Sequence, residues 1–202
     1  MVVGMSPAEE SAYWNQVAAD PGRLVAEVYS DMRTSECIKA ILDGVGGLLV
    51  PGASILELGC GIGRLLSPLA AIYPTVNFVG VDSSEAMIRE VMTSVAANVQ
   101  LAKNDGRTLS GLAEFDAAYS MTMFQHIPRE AQFGYLAEVY RTLVPGGPFR
   151  LQFVTDAEPG PLSHPVPLDA MIAEAEAVGF DLMDGDQGLI EPSWYWLTLR
   201  KS

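Results

Sequence analysis

The 202-residue chain is poor in the residues that bind metals or cross-link small folds: it has two cysteines, Cys37 and Cys60, and two histidines, His126 and His164. Neither the spacing nor the partners of a zinc site are present, so two free thiols are expected and no metal is implied. Positive charge is scarce too, with 12 Lys+Arg against 25 Asp+Glu and a formal net charge of −13. A field of that sign repels phosphate backbones, and no basic run offsets it, so nucleic acid is disfavoured as a substrate and small molecules or peptides move ahead. No apolar run approaches the ~20 residues needed to span a bilayer. The start, Met1-Val2-Val3-Gly4-Met5, lacks the basic flank and apolar stretch of an export signal. The expectation is a cytoplasmic protein with no membrane partner; the oligomeric state is not legible. Repeats, low-complexity stretches and long Gly/Ser linkers are also missing.

What is present is a composition that is 49% hydrophobic, enough for one sizeable core. The first third reads as helical. Ser6-Pro7-Ala8-Glu9 supplies an N-cap, a proline at the first helical position and a capping-box glutamate, and Asp20-Pro21 repeats the cap-and-proline signal. A third helix starts near Ser35 and carries Ile38, Ile41 and Leu42 until Gly46-Gly47.

From Ala53 short apolar runs take over: Ile55 to Leu58, Val76 to Val81, Val99 to Ala102, Phe115 to Tyr119 and Phe149 to Val154. Helix-like stretches lie between and after them, around Leu65 to Tyr73, Glu85 to Ala96, Arg129 to Leu143 and Leu168 to Val178. This alternation predicts an α/β fold, a doubly wound, mostly parallel sheet covered on both faces. Pro68 either kinks its helix or starts it, with Ser67 as the cap. At the end of the chain, Phe180 to Met183 and Trp194 to Leu199 are joined without a helix, which predicts a hairpin and an antiparallel last strand.

The chemistry is concentrated in Ile55-Leu56-Glu57-Leu58-Gly59-Cys60-Gly61-Ile62-Gly63. A carboxylate sits near the end of a buried strand, and glycines follow at alternate positions where the chain turns toward a helix. Gly59, Gly61 and Gly63 permit positive φ and let a ligand approach the backbone closely. A nicotinamide fingerprint, G-x-G-x-x-G, requires glycine at position 64, where this chain has Arg64. A carboxylate at Glu57 is also unfavourable beside a pyrophosphate, and suits a ligand with an ammonium, a sulfonium and no phosphate: S-adenosylmethionine. The next strand ends in Asp82-Ser83-Ser84, which places an acceptor for both ribose hydroxyls at the neighbouring strand tip. The competing reading of Asp82 is a helix cap.

These residues resemble motif I, Glu57 through Gly63, and the acidic ribose-binding position, Asp82, of the class I, Rossmann-like S-adenosylmethionine-dependent methyltransferases, in the group dominated by small-molecule enzymes. The resemblance runs through most of the chain. It implies a seven-stranded sheet of order 3-2-1-4-5-7-6 with an antiparallel last strand, one domain over 1–202, and a cap of N-terminal helices over 1–50 on a core of 51–202. It further implies S-adenosyl-L-methionine as cofactor, with Glu57, Gly59, Cys60, Gly61, Gly63, Asp82, Ser83, Met87, Asn104, Asp105, Gly106, Ser120 and Met121 around it. Met87 matches the side chain packed on the adenine, and Asp105, in Lys103-Asn104-Asp105-Gly106, the acceptor for the adenine amino group. Met123 through Pro128 and Leu143 through Gly147 match the stretches around the fourth and fifth strands, and Gly179-Phe180 the start of the hairpin.

Methyl transfer from a sulfonium needs alignment and exclusion of water more than a base. Where the acceptor must lose a proton, His126 is the candidate, because a histidine ordinarily titrates near neutrality. His164, in the proline-rich loop of residues 158–167, reads as a solvated loop residue. Tyr13, Trp14 and Tyr29 are expected to roof the cofactor. Ser120-Met121-Thr122-Met123 lacks the proline pair of base-methylating enzymes. The expected acceptor is a small molecule methylated on oxygen, nitrogen or carbon, and the sequence does not identify it. A cofactor-binding domain without turnover is the main alternative, and a nicotinamide-dependent oxidoreductase a weaker one.

Overall fold

A computed structural model describes residues 5–24, 34–93, 95–155, 162–187 and 192–202. The first helix, α1 (Pro7–Ala19), begins as its sequence dictates: Ser6 Oγ accepts from Glu9 N at 3.4 Å, and Glu9 Oε2 accepts from Ser6 N at 2.7 Å. Asp20-Pro21 opens the single turn α2 (Pro21–Leu24); residues 25–33, Tyr29 among them, lie outside the described residues. Then come α3 (Thr34–Val45), β1 (Ser54–Leu58), α4 (Leu66–Ile72), β2 (Asn77–Asp82), α5 (Glu85–Val91) and β3 (Val99–Lys103). The chain finishes with β4 (Ala117–Ser120), α6 (Arg129–Thr142), β5 (Pro148–Val154), α7 (Leu168–Val178), β6 (Phe180–Gln187) and β7 (Trp194–Lys201).

The seven strands form one sheet of order β3-β2-β1-β4-β5-β7-β6. Strands β1 to β5 pair in parallel, and β7 runs antiparallel to both β5 and β6. Side chains alternate across β1. Ile55 joins a core with Cys37 and Ile41 of α3 and Leu66 and Leu69 of α4, while Leu56 and Leu58 join another with Leu136 and Val139 of α6 and Met171 of α7. Both faces of the sheet are therefore covered, which is why its strands read as continuous apolar runs. Both cysteines are buried.

Three boundaries differ from the sequence reading. Pro68 does not start α4, and Ser67 is not its cap: the helix begins at Leu66, and in the first turn a proline forfeits no intrahelical hydrogen bond. Helix α5 ends at Val91, not Ala96, and Met92 beyond it is 63% exposed. Strand β6 continues through Asp184-Gly185-Asp186, which reads as a turn in the sequence. Arg150 of β5, 1% exposed, explains this: Nη1 meets Asp184 Oδ1 at 2.8 Å and Nη2 meets Asp186 Oδ2 at 3.0 Å, holding both aspartates along one strand.

Candidate functional site

All the parallel strands point their carboxyl ends at one rim, and the site is built there. The turn after β1 is joined to β2 by Gly59 N and Cys60 N, which both donate to Val81 O at 2.8 and 3.0 Å. Gly59, Gly61 and Gly63 have φ of 75°, 53° and 76°. At the tip of β2, Asp82 Oδ2 accepts from Gly61 N at 2.9 Å and Oδ1 accepts from Ser84 N at 2.8 Å. The cap of α5 is Ser84, whose Oγ accepts from Met87 N at 3.2 Å. Asp82 is thus no helix cap; it locks the glycine turn to the next strand. Burial raises its pKa, opposed by the backbone N–H groups of Ser84, Gly61 and Ser83.

Glu57 is 3% exposed and accepts a hydrogen bond from Tyr119 Oη at 2.8 Å. Burial pushes its carboxyl up to about 8, against the Tyr119 hydrogen bond and the charge of Arg64, with Asp82 adding a further upward push. The Cys60 thiol is raised well above its ordinary value by burial first and by Asp82 and Glu57 second, so it stays protonated and unreactive.

A cavity of about 290 Å³ opens above these tips. Of the residues read from sequence, Glu57, Gly59, Cys60, Gly61, Asp82, Ser83, Met87, Asn104, Gly106, Met121 and His126 line it; Gly63, Ser120 and Asp105 do not. Gly63 serves packing, since a Cβ there would lie 2.3 Å from Val91 Cγ2. Ser120 is fully buried and ties β4 to β1 by donating to Leu58 O at 2.9 Å. Asp105 is exposed and turned into its own loop, where Oδ1 accepts from Thr108 N at 2.7 Å and Arg107 N at 2.9 Å; the Thr108 bond chiefly holds its pKa below the usual value. An Asp followed by open backbone donors closes an Asx turn, and this local contact prevails over the cavity. Asn104 is held as well, donating through Nδ2 to Tyr135 Oη at 2.7 Å and to Thr108 O at 3.3 Å.

Helix α1 covers the cavity and is fastened to the β2–α5 turn. Ser11 Oγ donates to Ser83 O at 2.8 Å, and Asn15 Oδ1 accepts from Ser84 Oγ at 2.8 Å and Ala86 N at 3.0 Å. This places Glu10 and Trp14 in the lining. Glu10 is 5% exposed, its Oε1 has no hydrogen-bond partner among the described residues, and burial pushes its carboxyl up to about 8. Trp14 meets the His126 ring edge-on, with centroids 5.1 Å apart.

His126 Nδ1 lies 2.9 Å from Leu162 O, which only accepts, so Nδ1 carries the proton and Nε2 faces Gln125 Nε2 at 3.3 Å. Gln125 Oε1 accepts from Gln152 Nε2 at 3.1 Å, and Gln152 Oε1 accepts from Thr122 N at 2.9 Å. Thr122 has φ of 52°, the only non-glycine positive φ among the described residues, in the loop that follows β4. His164 is half-buried, not solvated: its N donates to Gln125 O and its O accepts from Gln132 Nε2. The sequence reading passed over Glu10, Thr122, Gln125, Tyr135 and Trp194 as lining groups, and used Arg64 only to exclude a nicotinamide motif. Arg64 alone carried a signal, a cation directly after the glycine turn. Among the described residues, no group of three His, Cys, Asp or Glu side chains is set to hold a metal, and no helix is long and apolar enough to cross a membrane.

Comparison with known proteins agrees with this geometry. Residues 55–147 match the family described as methyltransferase domain. Trans-aconitate 2-methyltransferase from Deinococcus radiodurans is 33% identical over 102 residues, covering 50% of this chain and 38% of the relative. The chain therefore spans well under half the length of this curated relative. In fold, the chain is similar to magnesium protoporphyrin IX methyltransferase from Synechocystis PCC 6803 with bound S-adenosylhomocysteine (TM-score 0.79, 17% identity, covering 98% of this chain and 100% of that one). It is also similar to DhpI in complex with S-adenosylhomocysteine (TM-score 0.77, 18% identity, 97% of each chain). Residues 55–147 thus match a methyltransferase domain, and the chain shares its fold with these solved structures.

Proposed function

We propose that this methyltransferase domain transfers a methyl group from S-adenosylmethionine to an oxygen, nitrogen or carbon atom of a small-molecule acceptor. The observation that carries the reading is the convergence of Glu57, the side-chain-free turn at Gly59 and Gly61, and Asp82 on one cavity. The donor set fits the cofactor: a Cβ at Gly61 would meet nothing within 4 Å, so backbone is open to a ligand there, and the carboxylates favour a cation. Glu57 and Arg64 hold the ammonium and carboxylate of the amino-acid end, Asp82 holds the ribose hydroxyls, and Met87 packs on the base. When bound, the sulfonium supplies an activated methyl group. The protein's part is to align the acceptor with it and exclude water.

His126 stands at the acceptor end, with its Nε2 lone pair directed by the Leu162 contact at Nδ1, and takes a proton from acceptors that must lose one. Of the segment 1–50 read as a cap, α1 roofs the cavity through Glu10 and Trp14, while α3 packs on the sheet with Ile55 and belongs to the core. The curated relative's name, trans-aconitate 2-methyltransferase, supports a small-molecule acceptor. The net charge of −13 sets nucleic acid aside. Titration calorimetry tests the reading: S-adenosylhomocysteine binds and reduced nicotinamide dinucleotide does not. A folded protein that ignores S-adenosylhomocysteine at millimolar concentration refutes it. Release of S-adenosylhomocysteine across an acceptor panel separates turnover from binding alone.

A further inference from the structure

We infer that Glu10, from the helix covering the site, reads the nucleobase of the cofactor by accepting a hydrogen bond from its exocyclic amino group. The inference rests on the proposed function and follows from the order of the strand tips. If Glu57 at β1 takes the ammonium and Asp82 at β2 takes the ribose, the base continues in the same direction, toward the end of β3. The described groups at that end are Met87, Asn104, Gly106, Tyr135 and Glu10. A base with an exocyclic amino group needs an acceptor there, and most of the polar atoms are already used. The Asn104 amide is committed to Tyr135 and Thr108, with its Oδ1 taking Gly106 N at 3.3 Å, and Asp105 faces away.

Glu10 is left. One turn before it, Pro7 abuts Gly106, where an added Cβ would be 3.0 Å from Pro7 Cβ. The residue after it, Ser11, is bonded to Ser83 O, and Glu10 lines the same cavity as Tyr135, which Asn104 contacts. Two independent contacts therefore place this stretch of α1 over the ends of β2 and β3. A buried carboxyl oxygen without a partner is costly unless a ligand satisfies it. The acceptor for the amino group thus comes from the first helix, not from the loop after β3.

The test crosses a protein change with a ligand change, using calorimetry on the full chain. The ligands are S-adenosylhomocysteine and its analogue with hydrogen in place of the 6-amino group. The wild type is expected to prefer the amino ligand by about tenfold. Glu10→Gln keeps a carbonyl acceptor and is expected to keep most of that preference. Glu10→Leu is expected to weaken S-adenosylhomocysteine by about tenfold and to bring the two ligands to parity, with its fold checked by circular dichroism. If Glu10→Leu weakens both ligands equally, or changes neither, Glu10 does not read the base and the inference is overturned. Failure of the wild type to bind S-adenosylhomocysteine at all strikes the proposed function instead, so the two failures are distinguishable.

Discussion

The alternate glycines of the turn after β1 look equivalent in sequence, and the structure predicts that alanine at two of them fails for different reasons. All have positive φ, which costs an alanine about 1–2 kcal/mol, offset by about 0.4–1 kcal/mol from the stiffer unfolded chain. At Gly61 that is the whole stability effect, because a Cβ meets nothing within 4 Å. At Gly63 the Cβ would sit 2.3 Å from Val91 Cγ2 and 3.0 Å from Ser67 Oγ, which adds about 1–3 kcal/mol of overpacking between α4 and α5. With about 2–4 °C lost per kcal/mol for a chain of this size, Gly61→Ala should lower Tm by no more than about 6 °C, and Gly63→Ala by up to about 20 °C. Binding should rank the other way. Gly61 lines the cavity, so its methyl group occupies ligand space and should weaken S-adenosylhomocysteine by at least about tenfold, ~1.4 kcal/mol. Gly63→Ala should bind far better at a temperature where it remains folded, and Gly63→Ala combined with Val91→Ala should recover part of the lost Tm. Thermal melts and calorimetry on the variants decide the matter. Equal Tm losses at the two positions, or intact binding in Gly61→Ala, refute the reasoning.

Further outcomes are expected from the charged groups. Asp82→Ala removes an acceptor that also holds Gly61 N and Ser84 N, and should weaken S-adenosylhomocysteine by at least about tenfold in calorimetry. Burial raises Glu57 and Glu10 to about 8 in the folded chain, so each contributes stability that is complete below the unfolded carboxyl value near 4.5 and lost as pH rises through about 8. The Tm of the ligand-free protein should therefore fall between pH 5 and 8, less steeply in Glu57→Gln. Over the same window, affinity for S-adenosylhomocysteine should rise as Glu57 ionises, with proton release visible in buffers of different ionisation enthalpy. Gly44→Ala would put a Cβ 2.7 Å from Arg150 Cδ and should cost about 1–3 kcal/mol in urea unfolding while leaving affinity for S-adenosylhomocysteine unchanged.

The sheet was legible because its signals are local. Each strand is a short apolar run, and the missing helix before Trp194 announces the antiparallel end. Glu57 and Asp82 were legible for the same reason, since each sits at the end of its own strand. The errors arise where a distant or competing partner decides. Asp184 and Asp186 pair with β7 and meet Arg150 of another strand, and nothing in Asp-Gly-Asp reports that. Asp105 has the residue type the site requires and the right place in the chain, but the N–H groups of Arg107 and Thr108 lie closer than any ligand. Glu10 follows a capping-box glutamate in a helix start full of acids, and only the docking of α1 on Ser83 and Ala86 separates its role from that of Glu9.

The attachment of α1 through Ser11 and Asn15 bears on how reactants come and go. A lid that swings needs a hinge independent of what it covers, and here the cover is riveted to the very bend that presents Asp82. Any movement of α1 would pull on the turn that carries Asp82, so cover and turn shift together or stay seated together.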